Sequence, residues 1–423
     1  MSIIEPDAPL YAQGHPLQQS AVVEPRSSIS ARVGIHWQGQ DCDFYDWSYL
    51  PSINLWRDYL PAQIEALLPG LAAGDEIRHS FRAGELLERQ SSLLHQNIPL
   101  SKFQPPPTGL TLLQPAIGRY YPSHFYKNVP AIYEGYQLPC RIIDIQGEQL
   151  SVDFNHPLSN KSLEMVVQIE SIRKAGAERG GRCNDVVAVC CDQGPGMQDS
   201  LPDQPTDFWA GNPFSRQDST NDSVFFSTPS LQPYWDRTSL AELSRLYDRL
   251  IPKQSEILDL MAGVHSPVQE SAVSPAAVIC AGLNSVELEH NPLCTQTLTL
   301  DVNSISALPF EDARFDVVLI HAAIEYVINP QWLMADIQRV LKPSGRIIIS
   351  FSNRSITEKA IQLWSGAHEF ERPAIVLDYL RSCPGFARFN SFSLRGLLRP
   401  EDDPLAHKLI YSDPLYVVWA DKI

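Results

Sequence analysis

Residues 308–353 read LPFEDARFDVVLIHAAIEYVINPQWLMADIQRVLKPSGRIIISFSN, and this stretch decides the fold. Phe315 to Ile320 is an apolar run of strand length broken only by Asp316, the pattern of a strand covered on both faces. Asn329 followed by Pro330 reads as an N-cap and a first helical position, where a missing N–H is harmless. Leu333, Ile337, Val340 and Leu341 fall on one helical face, and Pro343-Ser344-Gly345 stops the helix. Arg346 to Phe351 is a second buried strand, so the stretch is a right-handed strand–helix–strand unit. In open parallel sheets of this kind, ligands sit beyond the carboxyl ends of the strands.

Working outward, the chain of 423 residues has room for two or three domains. Its 44% hydrophobic and 19% charged content is that of a globular protein, without an apolar run long enough to span a bilayer. The first 28 residues hold charges and prolines with no signal-peptide core, and are read as a disordered tail of a cytoplasmic protein. A net charge of −16 argues against a general nucleic-acid binder, and no membrane partner is expected. The eight cysteines lack metal-ligand spacing and are read as ordinary thiols of a reducing compartment.

The string LPF-x-D-x-x-FD followed by VLKP-x-G resembles the second half of a class I S-adenosylmethionine-dependent methyltransferase, closely over 256–353 and more loosely over 207–423. The resemblance implies a Rossmann-like α/β fold and S-adenosyl-L-methionine as cofactor. Glu256 to Leu260 is then the first strand, and Met261-Ala262-Gly263-Val264-His265-Ser266 stands where the family has a glycine-rich loop, with Gly263 its one remaining glycine. By the same resemblance Asp259 positions that loop or the cofactor's ammonium group. Asn284, beyond the second strand (Ala277 to Ala281), stands for the acid that takes the ribose hydroxyls, and Asp301 with Val302 meets the adenine. His321 and Glu325, at the end of the fourth strand, face the methyl acceptor, with His265 a further candidate base. Ser239 and Glu242 suggest a capping box for the helix before the first strand. The aromatic segment 207–234 is read as a clamp packed on the surface, although in resembling methyltransferases such an arm can cover the substrate mouth.

The front half carries a second resemblance. Ala31 to Trp37 alternates as a half-buried strand, Leu60, Ile64 and Leu67 or Leu68 share a helical face ended by Gly70, and Ser162 to Ile172 is a long strand. Val152-Asp153-Phe154-Asn155-His156-Pro157-Leu158 with the following strand resembles the SlyD branch of FKBP-type peptidyl-prolyl isomerases. That resemblance implies an isomerase body over 29–174 with an inserted flap domain at 99–150, acting on a proline-containing peptide or an unfolded protein. It maps Tyr45, Asp46, Leu60, Ile64 and Met165 onto an apolar pocket, where a dry site eases rotation of an amide that loses its resonance. Glu85-Leu86-Leu87-Glu88 departs from the family's Asp-Ala-Tyr-Gly, and Pro61 lacks the N–H that the family uses to hold its substrate. Residues 175–206 read as a linker, with Val186 to Cys191 a short added strand. Two readings follow: an isomerase or chaperone module joined to a methyltransferase acting on an unknown acceptor, or a non-catalytic peptide-binding scaffold with a degenerate methyltransferase fold.

Overall fold

The computed structural model describes residues 22–106, 113–130, 132, 138–174 and 180–423, so most of the expected N-terminal tail lies outside the described residues. The front half runs β1 (Ser28–Gln38), β2 (Cys42–Asn54), one helical turn α1 (Ala62–Glu65), β3 (Glu76–Phe81), β4 (His95–Pro99), β5 (Tyr120–Pro122), β6 (Pro139–Gln146), β7 (Gln149–Asp153) and β8 (Leu163–Arg173). The back half runs α2 (Val186–Cys191), α3 (Asp222–Phe225), α4 (Arg237–Leu250), β9 (Glu256–Leu260), β10 (Ala277–Gly282), α5 (Ser285–Glu289), β11 (Gln296–Thr299), β12 (Phe315–His321), α6 (Pro330–Val340), β13 (Leu341–Phe351), α7 (Gln362–Ser365), α8 (Arg372–Arg381), β14 (Phe386–Arg395) and β15 (Leu415–Lys422).

Both halves share one 11-stranded sheet of order β11-β10-β9-β12-β13-β15-β14-β2-β1-β8-β3. Strands β9 to β13 pair in parallel, as their continuous apolar runs require, and β15 returns antiparallel between β13 and β14. The join between the halves is a parallel pairing of β14 with β2, in which Phe389 to Arg395 run beside Cys42 to Ser48. This pairing covers the backbone edge that an isolated β14 would leave open. A second, four-stranded sheet of order β4-β7-β6-β5 spans residues 95–153 and has its own core around Ile98, Phe103, Tyr121, Ile142 and Val152. No helix among the described residues is long and apolar enough to cross a membrane.

The strand–helix–strand order read from 308–353 matches the backbone, with Asn329 accepting from the Trp332 N–H and Pro330 opening α6. But α6 already ends at Val340, and Leu341, expected on its face, opens β13, which runs through Pro343-Ser344-Gly345 because Leu341 pairs with Phe315 of β12. Several local expectations are corrected. Residues 186–191 are helix, because Asp185 caps the Ala188 N–H (3.1 Å) and four of the six side chains are buried. The expected linker is packed rather than loose over part of its length, with Met197 and Gln198 fully buried. The helix expected over 58–70 is a single turn. Strand β1 is buried on both faces rather than one, because α4 lies against the face opposite the core. Helix α4 is capped by Asp236, whose carboxylate accepts from the Thr238 (2.9 Å) and Ser239 (3.3 Å) N–H groups. Glu242, expected to serve that cap, instead forms a two-pronged pair with Arg32, both contacts 2.9 Å. Cys280 and Cys294, expected as free thiols, are joined in a disulfide that ties β10 to the segment before β11.

Candidate functional site

The strand order reverses between β9 and β12: the chain leaves β9 for β10 and β11 on one side, then returns to β12 on the other. Loops leaving neighbouring strands in opposite directions open a crevice at that point. A cavity of about 320 Å³ occupies it, at the small end of the range for ligand sites. The β9 loop contributes Met261 to His265, the β10 end contributes Leu283, Asn284 and Glu287, and the β11 end contributes Leu300 to Asn303. His321, Ala322 and Ala323 come from the end of β12, while Phe226, Ser230 and Gln232 to Tyr234 close it from outside. Met261 (φ 61°) and Ala322 (φ 51°) both hold left-handed backbone at the rim, a strain that non-glycine residues keep where the surrounding structure imposes it.

The segment 207–234 is therefore a wall of the cavity rather than only a surface clamp. Its anchor is Asp222, a buried carboxylate that accepts from Arg216 (2.9 Å) and from Asn303 Nδ2 (2.8 Å) and pairs with the fully buried Lys359 (3.0 Å). Burial pushes this carboxyl up, but Arg216, Asn303 and Lys359 outweigh it and hold the group below the ordinary carboxylate range.

Gly263, Asn284, Asp301, Val302, His321 and His265 all border the cavity, as expected, whereas Asp259 and Glu325 do not. Asp259 is buried behind the β9 loop beside Ser266, and desolvation pushes it up to about 7. Glu325 is also sealed in, 1% exposed, and burial pushes it up to about 7 as well. Of His321 and Glu325, the two residues expected on the acceptor side, His321 reaches the cavity. Its Nδ1 lies 3.0 Å from Ser350 Oγ, which in turn lies 3.1 Å from Tyr247 OH, and its ring meets Trp235 edge-on at 4.3 Å. Burial and the neighbouring His265 pull His321 down to about 3, so the imidazole is neutral near pH 7.

Asn284 is at the cavity but is chemically spent. Its Oδ1 accepts from the Val286 (3.0 Å) and Glu287 (3.4 Å) N–H groups, capping α5, and its Nδ2 donates to the Phe226 and Ser227 carbonyls at 3.2 Å. The tip of β10 is Gly282, and a Cβ there would lie 2.0 Å from the Ala262 carbonyl oxygen. The β9 loop thus fills the space in which a side chain at the strand tip would stand.

Against known proteins, a family model described as a methyltransferase domain matches residues 263–349. The C-terminal half carries a methyltransferase domain. A demethylmenaquinone methyltransferase from Clavibacter sepedonicus is 34% identical over 96 residues, 22% of this chain and 39% of that protein. The chain thus spans well under half of this curated relative. An S-adenosylmethionine-dependent methyltransferase from Mesorhizobium loti aligns over 41% of this chain and 94% of its own, at 14% identity and a TM-score of 0.29. The [4+2]-cyclase SpnF aligns over 43% and 80%, at 15% identity and a TM-score of 0.30. Scores this low bear on neither substrate nor activity.

The front-half residues mapped to an isomerase pocket are not brought together. Tyr45 and Asp46 are adjacent in β2 and so point to opposite faces of the sheet. Tyr45 packs with Trp47 and Val166, while Asp46 is hydrogen-bonded by Ser393 Oγ and by Gln198 Nε2 (3.2 Å) and is pushed up to about 6 by burial. Leu60, Ile64 and Met165 are at most 5% exposed and belong to a core that continues into Phe315 and Ile349 of the methyltransferase domain. These five positions do not line one open pocket. The residues that sequence reasoning missed are Glu287, Asp222, Tyr234 and Tyr326 on the cavity wall. Only the placement of Glu287 in the first turn of α5, three residues beyond Asn284, could have been read from the chain, and only once α5 was known to begin at Ser285.

Proposed function

We propose that the methyltransferase domain transfers a methyl group from S-adenosyl-L-methionine to an acceptor admitted beside the 207–234 arm. The observation that carries this reading is the cavity at the strand-order reversal, with Gly263, Asp301, Val302 and His321 on its wall. The residues present fit such a donor. Gly263 leaves the loop backbone free for close approach, since a Cβ there would crowd Glu287 Oε2 at 3.0 Å, and carboxylates face the space from two sides. When bound, the donor supplies an electrophilic methyl group on a sulfonium. Asp301 would take the adenine amine and Val302 would pack on the ring. The arm excludes water through Phe226 and Tyr234, and alignment rather than acid–base power does most of the work in such a displacement. His321, held neutral by burial and hydrogen-bonded at Nδ1 to Ser350, would orient the acceptor through its other ring nitrogen rather than take its proton, since a base pulled so far down holds a proton poorly near pH 7. Calorimetry with S-adenosyl-L-methionine tests the reading: micromolar binding supports it, and no binding at millimolar concentration ends it.

A second reading concerns the front half, as a SlyD-like module that handles proline-containing peptides or unfolded protein in the cytoplasm. The small sheet at 95–153, set between β3 and β8, and the string Val152 to Leu158 favour it. The burial of Leu60, Ile64 and Met165 favours its scaffold or chaperone form over catalysis. A proline-peptide isomerisation assay separates the two: a rate equal to the uncatalysed one leaves the scaffold form. Should this module present the methyl acceptor to the cavity, full-length protein will outperform a 207–423 fragment; equal rates would refute the coupling.

A further inference from the structure

The strand tip at which a ribose-binding acid would be expected is closed twice over. Gly282 carries no side chain and has no room for one, with the Ala262 carbonyl 2.0 Å from its would-be Cβ, and the Asn284 amide is consumed by helix capping and by the arm. One turn further on, Glu287 projects from α5 onto the cavity wall. Its Oε1 accepts the Ser230 N–H at 2.7 Å, which fixes the carboxylate plane and ties it to the arm. Its Oε2 is directed at the β9 loop and sits 3.0 Å from where a Cβ of residue 263 would be. The loop at that point is held in turn, because Asn291 Nδ2 donates to the Gly263 carbonyl at 3.0 Å.

We propose that Glu287 is the residue that binds the ribose diol of the methyl donor, in place of an acid at the end of β10. This rests on the methyltransferase reading above. A carboxylate is acceptor-only when ionised and so matches a vicinal diol, which offers two O–H donors. Fixing one oxygen through Ser230 lowers the entropy lost when the other engages a ligand. Gly263 belongs to the same device: its missing side chain keeps the path between the loop and the carboxylate open. Because Ser230 lies on the arm, binding of the diol and closure of the arm are linked through one carboxylate.

The test is calorimetry on the full chain with two probes, 5′-methylthioadenosine and its 2′-deoxy counterpart, alongside S-adenosyl-L-methionine. Wild type is expected to bind the ribose probe more tightly than the deoxy probe. Glu287→Gln is expected to weaken S-adenosyl-L-methionine and the ribose probe by about tenfold to a hundredfold, the range of a lost charge-assisted hydrogen bond, and to leave the deoxy probe nearly unchanged. Gly263→Ala, which crowds Oε2 without removing the charge, should weaken the same probes in the same order. If wild type binds and Glu287→Gln binds equally well, the inference is overturned and the methyltransferase reading stands. Equal weakening of both probes overturns it too, since that is what a purely structural role gives. Failure of wild type to bind any probe removes the underlying reading together with it.

Discussion

Arg32, in β1, and Glu242, in α4, are 210 residues apart and form a buried ion pair between the two halves. Arg32 is 2% exposed and Glu242 8% exposed, and the third member, Glu170 on β8, accepts from Arg32 Nε at 2.6 Å. Burial by itself lowers the guanidinium's affinity for its proton, but Glu242 and Glu170 outweigh it and the net direction is up. Removing one partner of a buried pair leaves a charge that neither water nor protein solvates, which costs about 3–5 kcal/mol. Glu242→Gln leaves Arg32 with Glu170, so the loss should fall at about 3 kcal/mol, near the low end of that range. Arg32→Met leaves two carboxylates facing each other, with only Arg245 near one of them (3.0 Å from Glu242), so the loss should approach about 5 kcal/mol. The triple change Arg32→Met, Glu170→Leu, Glu242→Leu should recover most of either loss, since an apolar replacement of similar volume removes the desolvation penalty with the charges. Urea unfolding followed by tryptophan fluorescence and far-ultraviolet circular dichroism measures all three. Single variants within about 1 kcal/mol of wild type would refute the argument that this pair is desolvated and holds the halves together.

Burial raises Asp259 to about 7 in the folded protein, above its unfolded value, so its contribution to stability is complete at low pH and is lost as pH rises through 7. Asp259→Asn should therefore gain on wild type between pH 4 and pH 8, by at most about 4 kcal/mol, in denaturation midpoints read across that range; a pH-independent difference would contradict it. Asp222→Asn deprives the fully buried Lys359 of its nearest counter-charge (3.0 Å) and should free the arm, seen as faster limited proteolysis within 207–234 together with a loss of about 3 kcal/mol. Gly282→Asp, which restores an acid to the strand tip, should destabilise the protein and weaken donor binding, because its Cβ meets the Ala262 carbonyl at 2.0 Å; tighter binding would show that the β9 loop yields.

Much of the methyltransferase domain was legible because its signals are local. The Phe315 to Ile320 run and the Asn329-Pro330 start each depend on residues within a few positions of one another, and the backbone follows them, whereas Pro343-Ser344-Gly345, read as the helix stop, lies inside β13. Gly263, Asp301, Val302 and His321 come to border the cavity for the same reason, since loops at strand ends inherit their place from the strands. Where the reading went astray, a distant partner had claimed the residue. Glu242 is drawn from its capping box by Arg32, and Asn284 is taken by the carbonyls of Phe226 and Ser227. Asp46 is enclosed by Ser393, 347 positions away.

Sequence by itself determined the parallel strand–helix alternation of the back half, the β-rich character of the front half and the end of the strands at which the cavity opens, because periodicity, caps and turn residues act over one or two turns of chain. Tertiary structure alone decided that β14 and β2 would pair and merge both halves into one sheet, that Cys280 would meet Cys294, and that the Asn284 amide would be taken up by α5 and the arm while Glu287 borders the cavity. Those outcomes turn on which edge, thiol or carbonyl lies opposite once the chain has closed, and no local pattern encodes a partner hundreds of residues away.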